Sequence, residues 1–456
     1  MTPDGNTTVL ARPLLGTPSW VSHAAAGFCG CALAVMPTSF AEVAIAFTGI
    51  AAFIHHRRWW ASLRLASGRP VFWAVLAFIA WSGAALAWSE DRSLGFEEFG
   101  AARFWLLGLT LLALSDRRGL LIGGLIAGFA VGHVAQALNL WSLHGGGPEV
   151  FLFGRRPDRV SGWWDPAVAG TLLTIAACLH LPAAIAGRGL VLVAGLGGLL
   201  VSTAGLALSG SRGGWLATAA VVLLASAVST LMSLPDLVAG RFGRVRWGGV
   251  GLIVGAASLL TVATFVRPAG LVGRFGALQE TVEDLRDGDI GFDSDDGARL
   301  AMKLWAVDAF AAEPIVGVGT GGYSAWVRSH ADAHPSPDPL YAQSLLDRRL
   351  HDHAHDTLLH IAASQGAIGA LLGLGVALGV GIEVWKHLAR AEGFAIYRAG
   401  PSVAALGLVA VSVFDTLHVS QSSTAVSCVV VALVLMPGVR TARVLAGEGQ
   451  PMPSAM

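Results

Sequence analysis

The sequence is poor in charged residues and in cysteine, and it carries no net charge. Charged residues make up 13% of the 456 positions, about half the share that is typical of soluble domains. With 30 basic and 30 acidic residues, it offers no excess of positive charge for nucleic acid. The four cysteines all lie in apolar stretches, which argues against a zinc site and a disulfide framework; they are Cys29, Cys31, Cys178 and Cys428.

Apolar sequence fills most of the chain instead. Hydrophobic residues account for 54% of it, and the mean hydropathy is +0.63. They occur in blocks of roughly 17–22 residues, the length of a helix that crosses a bilayer. We therefore predict an all-α polytopic membrane protein with about twelve spans, at 20–37, 39–55, 70–88, 101–115, 119–141, 166–186, 189–208, 214–233, 247–266, 363–385, 399–415 and 422–438.

The distribution of Lys and Arg predicts the orientation. Each even-numbered span is followed by a basic stretch, such as "HHRRWWASLRLASGR", and basic connections stay in the cytoplasm. Residues 1–266 then hold spans one to nine with a smaller periplasmic loop at 142–165. Residues 267–362 form a large periplasmic loop, and residues 363–456 hold spans ten to twelve and a cytoplasmic tail. This predicts a multi-pass protein of a bacterial inner membrane.

Several cations break this rule because they fall on the predicted outer side: Arg155, Arg156, Arg159, Arg212, Arg299 and Lys303. Arg212 lies among small residues in "SGSRGG" at the membrane rim, where an unpaired cation is costly. A site for an anion explains it better, and a guanidinium suits a phosphate or diphosphate. For Arg155, Arg156 and Lys303, contact with lipid phosphates or surface carboxylates is an equal alternative.

The stretch "HDHAHDTLLH" places four histidines at the end of the large loop. Zinc is possible on ligand type, but alternating histidines without further spaced ligands are a weak metal signal. A solvated polar cap explains His351 and His360. His355 directly precedes the helix that enters the membrane, where a neutral imidazole can accept a proton. We predict proton transfer at His355 and no metal.

Two further patterns lie in the large loop. "DSDDGARLAMKLWAVDAFAAEP" predicts a helix, with acidic residues at its start and Pro314 beyond its end. "GVGTGG" at 317–322 matches G-x-G-x-x-G but follows no parallel strand. It predicts a flexible turn and no dinucleotide site.

Four segments together resemble the O-antigen ligases and the related O-antigen polymerases. "HDTLLHIAASQGAIG" resembles their His-Asn-x9-Gly-x-x-Gly signature, with Asp356 in the place of the usual Asn. The other three are "LSGSRGGWLA", "RLAMKLWAVDAFAAEPIVGVGTGGY" and "RVSGWWDPAVAG", which align the family's arginines with Arg212, Arg299 and Arg159.

The resemblance implies a metal-independent, inverting glycosyltransferase without a cofactor. The implied donor is a glycan on undecaprenyl diphosphate, and the acceptor is a sugar hydroxyl of lipid A–core. The implied catalytic residues are His355, Arg299 and Arg212, and Arg159 is an implied substrate-binding residue. We also predict that Lys303, Arg156 and Tyr323 bind substrate.

Other functions stay open at this point. A polymerase of O-antigen or exopolysaccharide and a protein O-oligosaccharyltransferase would share the same donor chemistry. A lipid-linked glycan transporter would need polar sites within the membrane, and the spans carry few ionisable residues, chiefly His133 and Glu383. A membrane scaffold whose large loop binds a partner is the remaining alternative.

Overall fold

The computed structural model describes residues 19–35, 37–143, 160–164, 166–238, 295–330, 353–389 and 396–436, and all regular secondary structure within these ranges is helical. The α-helices are α1 (Ser19–Val35), α2 (Pro37–Ile54), α3 (His56–Ser67), α4 (Pro70–Ala84), α5 (Arg92–Gly100), α6 (Phe104–Leu111), α7 (Arg118–Leu143), α8 (Pro166–Ala186), α9 (Leu190–Ser209), α10 (Arg212–Val238), α11 (Asp295–Ala312), α12 (Gly322–His330), α13 (Thr357–Ala389), α14 (Ile396–Val411) and α15 (Gln421–Leu435). Short 3-10 helices cover Ala85–Trp88, Ala101–Arg103 and Leu112–Arg117.

Helical structure covers every predicted span except 247–266, which lies outside the described residues. Five stretches are long and apolar enough to cross a membrane: Pro70–Trp88, Arg92–Leu143, Val168–Ile185, Leu190–Ser209 and Thr357–Lys386. Shorter apolar helices occupy His23–Ala34, Phe40–Ile54, Arg212–Ala227, Ala399–Val411 and Gln421–Leu435. The protein is therefore a multi-pass helical membrane protein, while the count of twelve spans and the periplasmic loop stay predictions.

Two predicted boundaries differ from the structure. The span predicted from residue 363 begins earlier, at Thr357, because Asp356 caps the helix: its Oδ1 accepts the N–H of Leu359 at 3.0 Å. The span predicted at 101–115 contains only the short α6, flanked by 3-10 helices, and Leu114 departs from helical geometry. The helix predicted around residue 299 is confirmed as α11.

Helix α8 forms the centre of the bundle, with α9, α10 and α14 packed around it. Small residues allow this close packing. A Cβ added to Gly195 of α9 would lie 2.5 Å from the backbone N of Ala184, and one added to Gly400 of α14 would lie 3.1 Å from the carbonyl oxygen of Leu179. Backbones that approach so closely favour association of helices in a membrane through van der Waals contact.

Helix α13 is broken at Gly366, where φ is +67° and ψ is −167°. The break interrupts the helical hydrogen bonds and leaves carbonyls without their usual partners. The N–H groups of Val318 and Gly319 donate to the carbonyls of Ala363 and Ser364, at 3.0 and 2.8 Å. The turn after α11 therefore replaces part of the hydrogen bonding that the helix loses.

The same turn also serves the other side of the break. The N–H of Ala367 donates to the carbonyl of Pro314 at 2.8 Å. A Cβ added to Gly366 would lie 2.2 Å from the carbonyl oxygen of Ile315, and one added to Gly317 would lie 2.5 Å from the backbone N of Gly366. The glycine-rich turn predicted at 317–322 is thus confirmed, but it is buried and bound to α13 rather than freely flexible.

Helices α11 and α12 pack on the first turns of α13 and form a second, smaller core. Its buried residues are Ala306, Ala309, Val318, Tyr323, Trp326, Val327, Ala354 and Ala363. This core fixes α11 beside the start of α13, at the predicted outer end of the bundle.

Ion pairs link helices at the opposite end of the bundle. Arg69, just before α4, pairs with Glu383 near the end of α13 at 3.0 Å, and Lys386 pairs with the same carboxylate at 2.9 Å. Arg58 of α3 pairs with Asp116 at 2.8 Å. This end carries basic connections of the predicted cytoplasmic side.

Candidate active site

His355 lies in the short non-helical segment 353–356 that leads into α13. Its φ of +50° makes it the only non-glycine residue in the left-handed region among those described, a conformation that costs on the order of 1 kcal/mol. Thr357, two residues further on, is held firmly: its N–H donates to the carbonyl of Ser412 at 2.8 Å, and its hydroxyl donates to the carbonyl of Asp415 at 2.7 Å. These bonds fix His355 beside the connection that follows α14.

Arg212 is the first residue of α10, directly after the turn that joins α9 to α10. Gly210 ends α9 in the left-handed conformation, with φ +67°. The N–H of Gly214 donates to the hydroxyl of Ser211 at 3.4 Å. The start of a long helix carries partial positive charge from its free N–H groups, so Arg212 adds its charge where an anion is already favoured.

Arg299 lies on α11, one turn before Lys303, and the two share a face of the helix. Lys303 binds that face to the rest of the site: its Nζ lies 3.4 Å from Asp356 Oδ2 and donates to the carbonyl of Val413 at 3.0 Å. Arg299 is therefore carried by a helix that is fastened both to the start of α13 and to the connection after α14.

Arg212, Arg299 and His355 meet in one small pocket of about 40 Å³. They are brought together from three separate segments, which are the start of α10, α11 and the entry to α13. The pocket is completed by Thr171, Gly210, Ser211, Gly213, Gly214, Val411, Phe414 and Asp415. Two guanidinium groups and one imidazole thus face a common space.

The imidazole of His355 is kept neutral by its surroundings. Burial lowers the pKa of His355 to about 2, helped by His353 and by the cations Arg299 and Lys303. Burial likewise lowers the pKa of His353 to about 4, with His360 and Arg299 adding to the effect. At neutral pH both rings are therefore uncharged, and each has a nitrogen that can accept a proton.

Asp415 is a site residue that sequence reasoning missed. Its carboxylate and the ring nitrogens of His353 and His355 lie within 4.8 Å of one another, and it lines the pocket. The available signal was weak: one acidic residue in "VFDTLH", at the outer end of the span predicted at 399–415. The three groups can orient an imidazole through a carboxylate, and their donor atoms are also close enough to hold a metal ion.

Comparison with known protein families gives a match for the segment that contributes Arg212, Arg299 and His355 to this pocket. A family model described as O-antigen ligase matches residues 197–374. Residues 197–374 belong to the O-antigen ligase family. The resemblance predicted from the motifs is thereby confirmed. The family comprises glycosyltransferase-like ligases and polymerases that act on lipid-linked glycans in membranes. None of the curated proteins matches the chain.

The O-antigen ligase segment contains Arg212, Arg299 and His355, whereas Asp415 lies beyond its end. Asp356, which stands where the family signature usually has Asn, makes two contacts. It caps α13 through Oδ1 and pairs with Lys303 through Oδ2. An Asn could make the same cap, so what this chain gains from Asp is the ion pair.

Two of the other predicted binding residues, Lys303 and Tyr323, do not line the pocket. Lys303 is engaged by Asp356 and Val413. Tyr323 is fully buried, and its hydroxyl donates to the carbonyl of Met302, which does not fit the substrate-binding role predicted for it. Arg155, Arg156 and Arg159 lie outside the described residues.

The interpretation of His360 as a solvated polar cap is wrong. Its side chain has no exposed surface, because α5, α12 and the connection between α14 and α15 enclose it. The sequence placed it correctly near the start of a helix but gave no indication of these long-range neighbours. His351, to which the same interpretation applied, lies outside the described residues.

Proposed function

We propose that the protein is an O-antigen ligase-like inverting glycosyltransferase. It would move a glycan from undecaprenyl diphosphate to a sugar hydroxyl of lipid A–core at the periplasmic face of a bacterial inner membrane. The observation that carries this proposal is the pocket in which Arg212 and Arg299 face a neutral His355. Cations for a leaving diphosphate and a base for a hydroxyl are the two groups that this reaction requires.

The two arginines receive the diphosphate of the donor. As the bond between the anomeric carbon and the diphosphate breaks, negative charge grows on the leaving oxygen. Guanidinium groups that are already in position stabilise this charge without reorganisation. The positive end of α10 adds to this effect beside Arg212. Arg159 and Arg156 are proposed to extend the donor site, since Val160, which follows them, is hydrogen-bonded to Leu208 near the end of α9.

His355 is the proposed general base. It takes the proton of the acceptor hydroxyl while the oxygen attacks the anomeric carbon from the side opposite the diphosphate, which inverts the configuration. The low pKa of His355 makes its imidazole a weak base when no anion is bound beside it. A bound diphosphate would offset the charges of Arg299 and Lys303 and raise that pKa. Proton transfer is thereby coupled to the presence of the donor.

Asp415 is proposed to orient the base. A carboxylate beside an imidazole selects its tautomer and stabilises the imidazolium that forms during the reaction. Asp415 itself is fixed, because one of its carboxylate oxygens accepts the N–H of Thr416 at 2.9 Å. The rigid attachment of Thr357 to the Asp415 carbonyl holds His355 and Asp415 at a constant separation.

We further propose that transfer needs no metal. The donor atoms of His353, His355 and Asp415 are close enough for an ion. However, Arg299 and Lys303 already disfavour positive charge at His355, and the same field opposes a divalent cation there. The arginines also supply the charge that a metal would otherwise bring to a diphosphate.

The periplasmic orientation can be tested by cysteine labelling. Ser329 is exposed on α12 at the predicted outer end, and Ser67 ends α3 at the predicted inner end. In a cysteine-free background, an impermeant maleimide should label Ser329→Cys in intact cells and Ser67→Cys only after lysis. The reverse pattern would overturn the orientation and, with it, the periplasmic active site.

The reaction can be tested with purified protein, lipid-linked oligosaccharide and three separate acceptors. We expect transfer to lipid A–core, release of undecaprenyl diphosphate and inversion at the anomeric carbon. Transfer only to a second lipid-linked repeat would make the protein a polymerase, and transfer only to a protein hydroxyl would make it a protein O-oligosaccharyltransferase. Movement of the donor across vesicles without transfer would make it a transporter. His355→Gln serves as the matched inactive control.

A further inference from the structure

His360, near the start of α13, is fully buried although its ring is titratable. Neither ring nitrogen has a hydrogen-bond partner among the described residues. Leaving a buried polar group unpaired destabilises the folded state. Packing alone does not explain an imidazole at this position, because an apolar side chain would fill the space without that cost.

Glu98 of α5 faces this imidazole. Its Oε1 lies 3.5 Å from His360 Nε2, and its Oε2 accepts the N–H of Gly321 at 2.9 Å. Helix α5 can come this close because two glycines face each other: a Cβ added to Gly321 would lie 2.1 Å from the backbone N of Gly95. The glycine-rich turn therefore holds a buried carboxylate against a buried imidazole.

The other titratable groups around His360 bring no charge. Tyr323 packs its ring edge-on at 5.4 Å between centroids, and burial raises the pKa of its phenol, which therefore stays protonated. His418 lies 5.4 Å away, and its pKa is lowered by burial and then by His360 and His353. Glu98 is thus the acidic group facing His360 from the elements that the structure describes.

His353 is the imidazole that packs against His355 and also interacts electrostatically with His360. The rings of His353 and His355 are 4.4 Å apart between centroids, and His353 lies within electrostatic range of His360. His355 and His360 differ in the charge of their neighbours. A proton on His355 is opposed by Arg299, whereas a proton on His360 faces the carboxylate of Glu98.

We propose that the His360–Glu98 pair receives, through His353, the proton that His355 takes from the acceptor hydroxyl. This inference rests on the proposed function. The hydroxyl O–H bond breaks as the glycosidic C–O bond forms, and the diphosphate leaves with the electron pair of its C–O bond. The proton passes along the imidazoles, directly or through water, and is held by the pair until it returns to solvent. Glu98 and His360 act through His355 and do not touch the substrate.

The matched variants are Glu98→Gln and Glu97→Gln, which remove one carboxylate each from neighbouring positions of α5, one buried and one exposed. Glu98→Gln should lower kcat about tenfold or more, with the KM for donor unchanged. Glu97→Gln should match the wild type. Gln can still accept the N–H of Gly321, so a lower kcat in Glu98→Gln would result from the missing negative charge and not from altered packing.

The pH profile of kcat/KM gives a readout that a structural role would not change. The lowered pKa values of His353 and His355 place their own titrations at about 4 and about 2. Protonation of the His360–Glu98 pair before turnover would block the relay and would add an acid limb to this profile. Removing the negative charge weakens proton binding, so the limb should move to lower pH in Glu98→Gln.

An unchanged kcat and an unmoved acid limb in Glu98→Gln would overturn the relay. If Glu98→Gln does not accumulate in the membrane, the test passes to His360→Gln, which should lose the acid limb of the pH profile. An acid limb that persists in His360→Gln would also overturn the relay. Full transfer in His355→Gln would instead reject the base, and with it the proposed function.

Discussion

The two ends of the bundle use cations differently. At the predicted inner end, Arg69 and Lys386 share the carboxylate of Glu383, at 3.0 and 2.9 Å. At the predicted outer end, Arg299 faces a pocket, and among the described residues no carboxylate forms an ion pair with it. A paired cation joins helices, whereas a cation that faces a cavity keeps its charge available for a ligand. We propose that arginine is structural at one end and catalytic at the other.

The carboxylate shared by the two ion pairs at the predicted inner end is also buried. The side chain of Glu383 is only 6% exposed, and Arg69 additionally donates to the carbonyl of Val434 at 3.3 Å. Removing Arg69 leaves the buried carboxylate with the more exposed Lys386 as its remaining cation, so the cost should be smaller than the about 3–5 kcal/mol of a buried charge that loses its sole partner. Changes at the inner end should therefore reduce the amount of folded protein, and changes in the pocket should reduce transfer by protein that is folded.

The largest effect is expected from His355→Gln. Gln keeps hydrogen bonding but cannot take a proton at neutral pH, so transfer should fall roughly 10²–10⁴-fold. Donor affinity should be retained, because it depends on the arginines. Transfer rate and donor binding would be measured on the same preparation. A rate near that of the wild type would mean that His355 only positions the acceptor, while lost donor affinity would assign it to the diphosphate site.

The next effect concerns Arg299. Arg299→Ala should lower transfer about a hundredfold or more, since loss of one prepositioned charge contact costs on the order of 3 kcal/mol in the transition state. Arg299→Lys keeps the charge but loses the planar fork, so it should lie between Ala and the wild type. Rates per folded molecule are measured after size-exclusion chromatography.

Arg69→Ala is the control from the inner end. It should lower the yield of folded protein without changing the rate per folded molecule. If Arg299→Ala behaves in the same way, the difference between the two ends disappears and Arg299 is a structural arginine.

A smaller effect is expected from Asp356→Asn. Asn retains the cap of α13 but loses the ion pair with Lys303, whose side chain is 28% exposed. The loss in stability should be about 1 kcal/mol or less. Transfer should decrease only a few-fold, through looser attachment of α11. Asp356→Ala also removes the cap and should cost about 1 kcal/mol more. Equal melting temperatures for the two variants would argue against the cap.

No effect is expected from metal chelation. Transfer should be the same with and without EDTA, and His353→Ala should be milder than His355→Ala. Activity that EDTA abolishes and zinc restores would show that His353, His355 and Asp415 hold a metal, and the assignment of His355 as a base would then fail.

The sequence predicted what depends on local pattern. Runs of apolar residues indicated most long apolar helices to within a few positions, apart from the start of α13 and the predicted span at 101–115, and they did not indicate α3, α5 or α12. The motifs indicated Arg212, Arg299 and His355. It did not predict Asp415, Glu98 or the burial of His360, because each depends on contacts between segments far apart in the chain. Glu98 and His360 are separated by more than 250 positions, and no periodicity reports such a contact.

The break in α13 has a consequence for how the protein is made. The backbone groups at Gly366 cannot remain unpaired at membrane depth without a cost of several kcal/mol, and their partners lie on the turn at 314–319. That turn precedes α13 in the chain and so is synthesised first. On the predicted topology, in which the preceding loop is periplasmic, the helix completes these hydrogen bonds only after that loop has crossed the membrane, and insertion of this span would be a late step that depends on translocation.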